Sequence, residues 1–159
     1  MNSEFTELVH QLCSLPRENE WVEFKTNNCY GKTIGEYISA LSNSASILGQ
    51  PYGYLVYSIK DGTHDIVGTK FQPWKEKIKG QELENWTATQ LNPPIDFEIE
   101  EAEVDSKRVV IFKIEATKNT PVEFHGEAFV RVGSYKKKLK ERDPNNKSRK
   151  YAKYVPFWA

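Results

Sequence analysis

The feature that most restricts the fold is a pair of adjacent strand-like stretches within residues 95–116. In the first, IDFEIEEAEV, apolar and acidic residues alternate, and the second, KRVVIFKIEA, is largely apolar. Asp105-Ser106 lies between them and has the composition of a turn. Because two strands joined by a tight turn pair antiparallel, the chain contains a long β-hairpin whose faces the other segments must cover.

The other segments divide into strands and helices by their hydrophobic period. Strand patterns occur at 21–25, 52–59, 66–68, 121–124 and 127–133, with turn signals at Asp61-Gly62 and His125-Gly126. Helical periodicity occurs at 3–14, 33–48 and 82–91. A chain of 159 residues has the length of one domain. We therefore expect a single α+β domain of about six mostly antiparallel strands, covered by two or three helices.

The composition excludes several classes of protein. No apolar run reaches the roughly 18 residues of a membrane span, and the acidic N-terminus is unlike a signal peptide. Two cysteines, Cys13 and Cys29, cannot form a disulfide framework. We expect a cytoplasmic protein with no membrane partner.

The net charge of zero conceals an uneven distribution. Residues 131–153 hold ten basic and two acidic residues, a local charge of +8, and residues 1–130 carry −8. The basic segment is either a solvated tail or an arm that binds phosphates. Interspersed tyrosines favour the arm, because aromatic rings stack on bases. Since the strand pattern fades after Gly133, we expect a domain at 1–140, with its core at about 16–135, and a basic tail at 141–159.

Acidic residues cluster around the strand at 21–25. Alternation places Val22 and Phe24 on one face of this strand and Trp21, Glu23 and Lys25 on the other. If strand 52–59 lies beside it, Glu18 and Glu23 can converge with Asp61 of the following turn. Converging carboxylates bind Mg²⁺ or Mn²⁺, which can activate water against a phosphate. A salt-bridged surface is the alternative, and the spacing alone leaves both open.

Other catalytic motifs are incomplete. Gly31-Lys32-Thr33 lies between a strand and a helix, but a phosphate-binding P-loop also needs a glycine at position 26, which is Thr26. An ordinary helix start is the better interpretation. The cysteines and histidines lack the spacing of zinc ligands.

Eight segments in order resemble the Schlafen-type AlbA domain, over roughly residues 16–140. They are ENEWVEFK (18–25), IGEYISALSNSA (34–45), GYLVYSIKDGTHDIVGTKF (53–71), LENW (83–86), PPIDFEI (93–99), RVVIFKI (108–114), PVEF (121–124) and FVRVGSYKKKL (129–139). The resemblance implies an Alba-like α+β fold with a positively charged nucleic-acid surface, often completed by pairing two copies as a homodimer. Such domains often begin bacterial transcriptional-regulator-like proteins that carry a helix-turn-helix or ATPase-like domain. Because no such domain follows Ala159, we expect a free-standing member or an excised domain.

The resemblance also implies a candidate catalytic site. Eukaryotic Schlafen proteins include metal-dependent nucleases of tRNA and rRNA, and their catalytic trio matches Glu18, Glu23 and Asp61 here. The same three residues would hold Mg²⁺ or Mn²⁺. The chain departs from the family at Lys60, where many relatives have a second acid beside the aspartate.

Three functions are therefore predicted. The first is a non-enzymatic module that binds DNA or RNA. Its expected contacts are Trp21, Lys25, Arg131, Tyr135, Lys136, Lys137, Lys138 and Lys140. The second is a divalent-metal-dependent endoribonuclease acting on structured RNA such as tRNA. The third is a regulatory protein-interaction domain that uses the acidic strand 95–103.

Overall fold

The computed structural model describes residues 3–16, 19–28, 30–133 and 135–139. Glu18, Lys140 and the predicted tail 141–159 lie outside the described residues. The helices are α1 (Ser3–Cys13), α2 (Gly31–Ile47) and α3 (Leu83–Thr89). The strands are β1 (Val22–Lys25), β2 (Tyr52–Tyr57), β3 (Lys77–Ile78), β4 (Gln81–Glu82), β5 (Leu91–Asn92), β6 (Phe97–Val104), β7 (Lys107–Glu115), β8 (Glu123–Phe124), β9 (Glu127–Val132) and β10 (Tyr135–Lys138).

The long hairpin forms half of the first sheet, which has the strand order β1-β2-β7-β6. Asp105 and Ser106, the turn between β6 and β7, both have positive φ angles, as the turn prediction requires. β2 pairs antiparallel with β7 and parallel with β1, so Glu23 lies opposite Leu55. The ends of β1 and β2 therefore meet at one edge of the sheet, beside the turn that carries Asp61.

A second sheet has the order β10-β9-β8-β5 and is antiparallel throughout. A small hairpin, β3–β4, stands apart from both sheets. The predicted α+β class is confirmed, and β1–β2 is the one parallel pair among the described strands.

Apolar side chains pack on both faces of the first sheet. On one face, α1 buries Phe5, Val9 and Leu12 against Val22 and Phe24 of β1. On the other face, Ile34, Ile38 and Leu41 of α2 pack against β2 and β7. Both helices thus cover the sheet with the apolar stripe that their periodicity predicts.

Helix α2 is buried on its polar side as well, because it lies between the two sheets. Asn43 donates to the carbonyl oxygens of Val122 and Phe129 at 3.1 and 2.8 Å, and its amide oxygen accepts from the Val122 N–H at 2.8 Å. The hydroxyls of Ser39 and Ser44 accept from the backbone N–H groups of Phe129 and Arg131 at 3.0 Å each. Small polar side chains of the helix thereby satisfy backbone groups of the second sheet.

Several local predictions differ from the structure, and the two-residue strands β3, β4 and β5 were not predicted. Residues 66–68 do not form a return strand: Ile66 makes a single bridge to Ile59, and the Ser58 hydroxyl accepts from the Gly68 N–H, which turns the chain aside. Strand β10 was not predicted, because YKKK has no apolar alternation. The Gly133-Ser134 pair after an alternating strand is the hairpin signal that identifies it.

No helix in the described part of the chain has both the length and the apolar character needed to cross a membrane.

Candidate functional site

The carboxylate of Glu23 is the centre of a buried charge network at the middle of β1. Its residue is 7% exposed, because it faces the second sheet rather than solvent. Glu23 Oε1 lies 2.7 Å from Nη2 of Arg131, and Oε2 lies 3.2 Å from Nζ of Lys25. Each carboxylate oxygen therefore has its own cationic partner.

Arg131 reaches this carboxylate from β9 and is 2% exposed. Its Nη1 also donates to the carbonyl oxygens of Asn19 and Val22, so the guanidinium fixes the chain around the start of β1. Its Nε–H has no acceptor within the described residues. Burial lowers the pKa of Arg131, and nearby acidic groups oppose that shift, Glu23 first and Asp61 more weakly.

Tyr37 of α2 closes the network. Nζ of Lys25 lies 4.9 Å from the centre of its ring, and Nζ of Lys136 lies 4.7 Å from it. Lys136 is also ion-paired with Glu36. Burial by itself would lower the pKa of Lys25, but Glu23 and Tyr37 together raise it above its ordinary value. We call Glu23, Lys25, Glu36, Tyr37, Arg131 and Lys136 the Glu23 network.

The described residues do not by themselves fit a divalent cation. Both oxygens of Glu23 are engaged by cations, which would have to move before a metal could bind. Asp61 is exposed on its turn, and the described residues contain no group of three acidic, histidine or cysteine side chains placed to hold a metal. Because Glu18 lies outside the described residues, the site formed by Glu18, Glu23 and Asp61 stays a prediction.

The predicted nucleic-acid contacts fall into separate places. On β10, Tyr135 is 68% exposed and Lys137 and Lys138 are exposed, with Lys137 Nζ 5.6 Å from the centre of the Tyr135 ring. Lys25 and Lys136 are half-buried in the Glu23 network. Arg131 is buried there, where its Nη groups face protein oxygens rather than solvent.

Trp21 lies on the opposite face of the first sheet from the one that alternation predicts. It packs with Tyr54 on the α1 side, with 6.0 Å between ring centres. The reason is that β1 begins at Val22, so Trp21 belongs to the bend before the strand and does not follow its alternation. Trp21 is therefore separated by the sheet from the Glu23 network.

Ion pairing reduces the free charge of the basic segment. Four of its ten basic residues are described, and three of them pair with carboxylates: Arg131 with Glu23, Lys136 with Glu36, and Lys138 with Glu127 at 3.1 Å. Lys137 has no carboxylate partner among the described residues. No sequence pattern points to Glu36 or Tyr37, because their role depends on where β10 lies beside α2.

Comparisons with known proteins identify a family for this sequence and similar folds among solved structures. The family model described as Schlafen, AlbA_2 matches residues 18–140. The fold is similar to the N-terminal domain of a Nitrosomonas europaea protein described as a putative ATP-dependent DNA helicase RecG-related protein. The two are 22% identical, with a TM-score of 0.51, and the match covers 90% of this chain and 94% of that one. It is also similar to the DIP2311 protein from Corynebacterium diphtheriae, with 17% identity and a TM-score of 0.55 over 86% of this chain. This chain spans 26% of that protein. No curated protein matches.

Proposed function

The chain belongs to the Schlafen AlbA_2 family, and on this premise we propose that it is a nucleic-acid-binding module that uses its basic surface, including the edge strand β10. The observation that carries the proposal is the exposure of Tyr135, Lys137 and Lys138 on β10, with Lys137 Nζ 5.6 Å from the centre of the Tyr135 ring. Lysines supply the sequence-independent attraction to phosphates, and an exposed aromatic ring can stack on a base.

The ion pair between Lys138 and Glu127 is compatible with this role. Their side chains are 59% and 50% exposed, and exposed pairs contribute only about 0–1 kcal/mol. A phosphate can therefore replace Glu127 as the partner of Lys138 at little cost. The buried pair of Arg131 and Glu23 is different, and we assign it to holding β9, and with it β10, against β1.

The similarity to a RecG-related N-terminal domain supports a nucleic-acid context and a role beside a downstream domain. That domain resembles this chain along nearly its whole length. A downstream helix-turn-helix or ATPase domain and the pairing of two copies remain proposals.

Binding can be tested by fluorescence anisotropy with labelled 20-nucleotide RNA and DNA, single- and double-stranded, at 50–200 mM salt. We expect affinity to fall as salt rises, with a log–log slope of about 0.7–0.9 per phosphate contact. Lys137→Glu/Lys138→Glu should weaken binding and reduce the slope by the amount that corresponds to one to two phosphate contacts. Lys107→Glu/Lys118→Glu, which reverses two exposed lysines elsewhere, is the matched control. Binding that ignores salt, or equal affinity for both double variants, contradicts the proposal.

The nuclease alternative has a separate test. Purified protein is incubated with tRNA and Mn²⁺, and the module we propose leaves the tRNA intact. If cleavage is seen, Glu18→Gln and Asp61→Asn decide its origin, since both variants keep Glu23, the carboxylate that is ion-paired with the buried Arg131. Cleavage that is lost in both variants assigns the endoribonuclease activity to the predicted trio.

A further inference from the structure

Five exposed lysines that the charge distribution of the sequence does not reveal surround the start of α2. They are Lys32, Lys70, Lys75, Lys77 and Lys79. None of the ion pairs formed within the described residues involves any of them. This contrasts with the basic segment, where three of the four described cations have carboxylate partners.

Packing makes these lysines parts of one surface. A Cβ atom added at Gly31 would lie 2.1 Å from Cδ1 of Ile78, so β3 packs directly on the first turn of α2. The Asn27 side-chain oxygen accepts from the Lys70 N–H at 2.8 Å. Lys70 therefore lies beside Asn27, the β3–β4 hairpin lies beside Gly31, and the 3-10 turn Pro73–Lys75 is between Lys70 and β3 in the chain.

Two exposed aromatic side chains belong to the same surface. Tyr30, directly before α2, is 74% exposed, and Trp74, in the 3-10 turn, is 43% exposed. Exposed aromatic rings beside cations are the combination that single-stranded nucleic-acid sites use, because bases stack on the rings. We call Tyr30, Lys32, Lys70, Trp74, Lys75, Lys77 and Lys79 the lysine–aromatic surface.

Acidic residues border this surface without neutralising it. Glu76 lies between two of the lysines, Glu82 is opposite Lys77 in the β3–β4 pair, and Glu84 begins α3. No carboxylate oxygen of these three residues lies within ion-pair distance of a described lysine. The cations therefore remain available to an external anion.

We propose that the lysine–aromatic surface binds a single-stranded nucleic acid, with the lysines on phosphates and Tyr30 and Trp74 stacked on unpaired bases. The proposal rests on the proposed function and adds a second contact region and a strand preference to it. Unpaired bases are required because a duplex keeps its base faces inside the stack, where exposed rings cannot reach them. In this arrangement Lys32 of the incomplete P-loop motif contacts the polymer backbone and not a nucleotide triphosphate.

The test compares three charge-reversed double variants with the wild-type chain. Lys75→Glu/Lys79→Glu changes the lysine–aromatic surface at two positions that take no part in the β3–β4 pairing. Lys137→Glu/Lys138→Glu changes β10, and Lys107→Glu/Lys118→Glu is the matched control. Anisotropy is measured with a labelled single-stranded 20-nucleotide RNA and with the same sequence as a duplex. We expect Lys75→Glu/Lys79→Glu to lower single-strand affinity about tenfold relative to the control, since two phosphate contacts become repulsive. Trp74→Ala should lower it about tenfold for the single strand but little for the duplex.

The outcomes separate this inference from the proposed function. If only the β10 variant loses affinity, the inference is overturned and the proposed function stands. If the wild-type chain binds neither RNA nor DNA with salt dependence, the proposed function fails and the inference with it. If the Lys75→Glu/Lys79→Glu loss is the same for duplex and single strand and Trp74→Ala binds like wild type, the preference for single strands is overturned. Circular dichroism of each variant establishes that it is folded.

Discussion

Among single residues, Glu23 of the first sheet and Arg131 of the second sheet join the two sheets through a buried ion pair of 2.7 Å. Both are nearly fully buried, and Arg131 holds two carbonyl oxygens in addition to the carboxylate. A buried ion pair adds little net stability compared with a well-packed apolar pair, but removing one partner leaves an uncompensated charge in the interior.

We therefore predict that Glu23→Gln destabilises the chain by about 3–5 kcal/mol, measured by urea unfolding followed by circular dichroism. The control is Glu127→Gln, which removes the exposed partner of Lys138 and should cost less than about 1 kcal/mol. Similar losses in the two variants would show that Arg131 does not depend on Glu23.

A pH dependence follows from Lys25. The pKa of its ammonium is raised in the folded chain, so the folded state holds this proton more tightly than the unfolded state does. The resulting stability is fully present below the ordinary pKa of 10.5 and is lost as pH rises through the folded pKa. We predict that the free energy of unfolding falls as the pH rises above 10.5 and that Lys25→Met flattens this fall.

The measurement needs a variant that lacks two other titratable side chains, those of Cys13 and Tyr54. Burial also raises the pKa of Cys13 and of Tyr54. Both shifts lower the free energy of unfolding as the pH rises, in a range of pH similar to that of Lys25. Urea unfolding at several pH values should therefore be compared between Cys13→Ser/Tyr54→Phe and the same chain carrying Lys25→Met. An unchanged slope would mean that Lys25 keeps its ordinary pKa.

Among the elements, α2 has the most demanding position, because each of its sides meets a different sheet. Its apolar side packs on the first sheet, and its small polar side completes the hydrogen bonds of the second. Gly35 shows how close the packing is: an added Cβ atom would lie 2.1 Å from the Phe124 ring.

The strongest prediction for helix α2 concerns Asn43. Asn43→Ala removes the acceptor of the buried Val122 N–H and a donor to the Phe129 carbonyl, while the Val122 carbonyl keeps the Ser39 hydroxyl as a donor at 2.7 Å. Each unsatisfied buried group costs about 1–3 kcal/mol. We expect a total loss of about 2–4 kcal/mol and faster hydrogen exchange at the Val122 amide. Asn85→Ala removes an exposed asparagine of α3 and should change stability by less than about 0.5 kcal/mol. If Asn43→Ala were equally harmless, α2 would not be anchored to the second sheet through this side chain.

The whole molecule depends on α1 as well as on the part that matches the family. The family match begins at residue 18, but α1 precedes it and closes the apolar cluster on the outer face of the first sheet. Without α1, side chains such as Val56 and Ile111 would face solvent.

We predict that Phe5→Ala, which truncates a side chain that is 3% exposed, lowers stability by about 3–5 kcal/mol. Thermal and urea unfolding measure the effect. Glu7→Ala, on the exposed side of α1, is the control and should change stability by less than about 0.5 kcal/mol. A small effect of Phe5→Ala would mean that α1 is not part of the cooperative unit.

Local sequence patterns were sufficient to predict most of the long helices and strands. Alternation and turn residues located the hairpin of β6 and β7, because strand faces and turn angles depend on residues close in sequence. The apolar period of α2 located that helix for the same reason. The ordered motifs also identified the family. Where the pattern was absent, as in β10, the strand was missed, and it forms because β9 provides an adjacent edge.

The sequence alone determined the types and order of the longer elements, since these depend on the period of neighbouring residues. The tertiary structure decided which charges are free. It buried Arg131 against Glu23 and paired Lys136 with Glu36. It also placed the lysines around the start of α2 where no carboxylate of the described residues lies within ion-pair distance. Coulomb energy depends on distance in space, and residues that are far apart in the chain acquire that distance only when the sheets and α2 pack together.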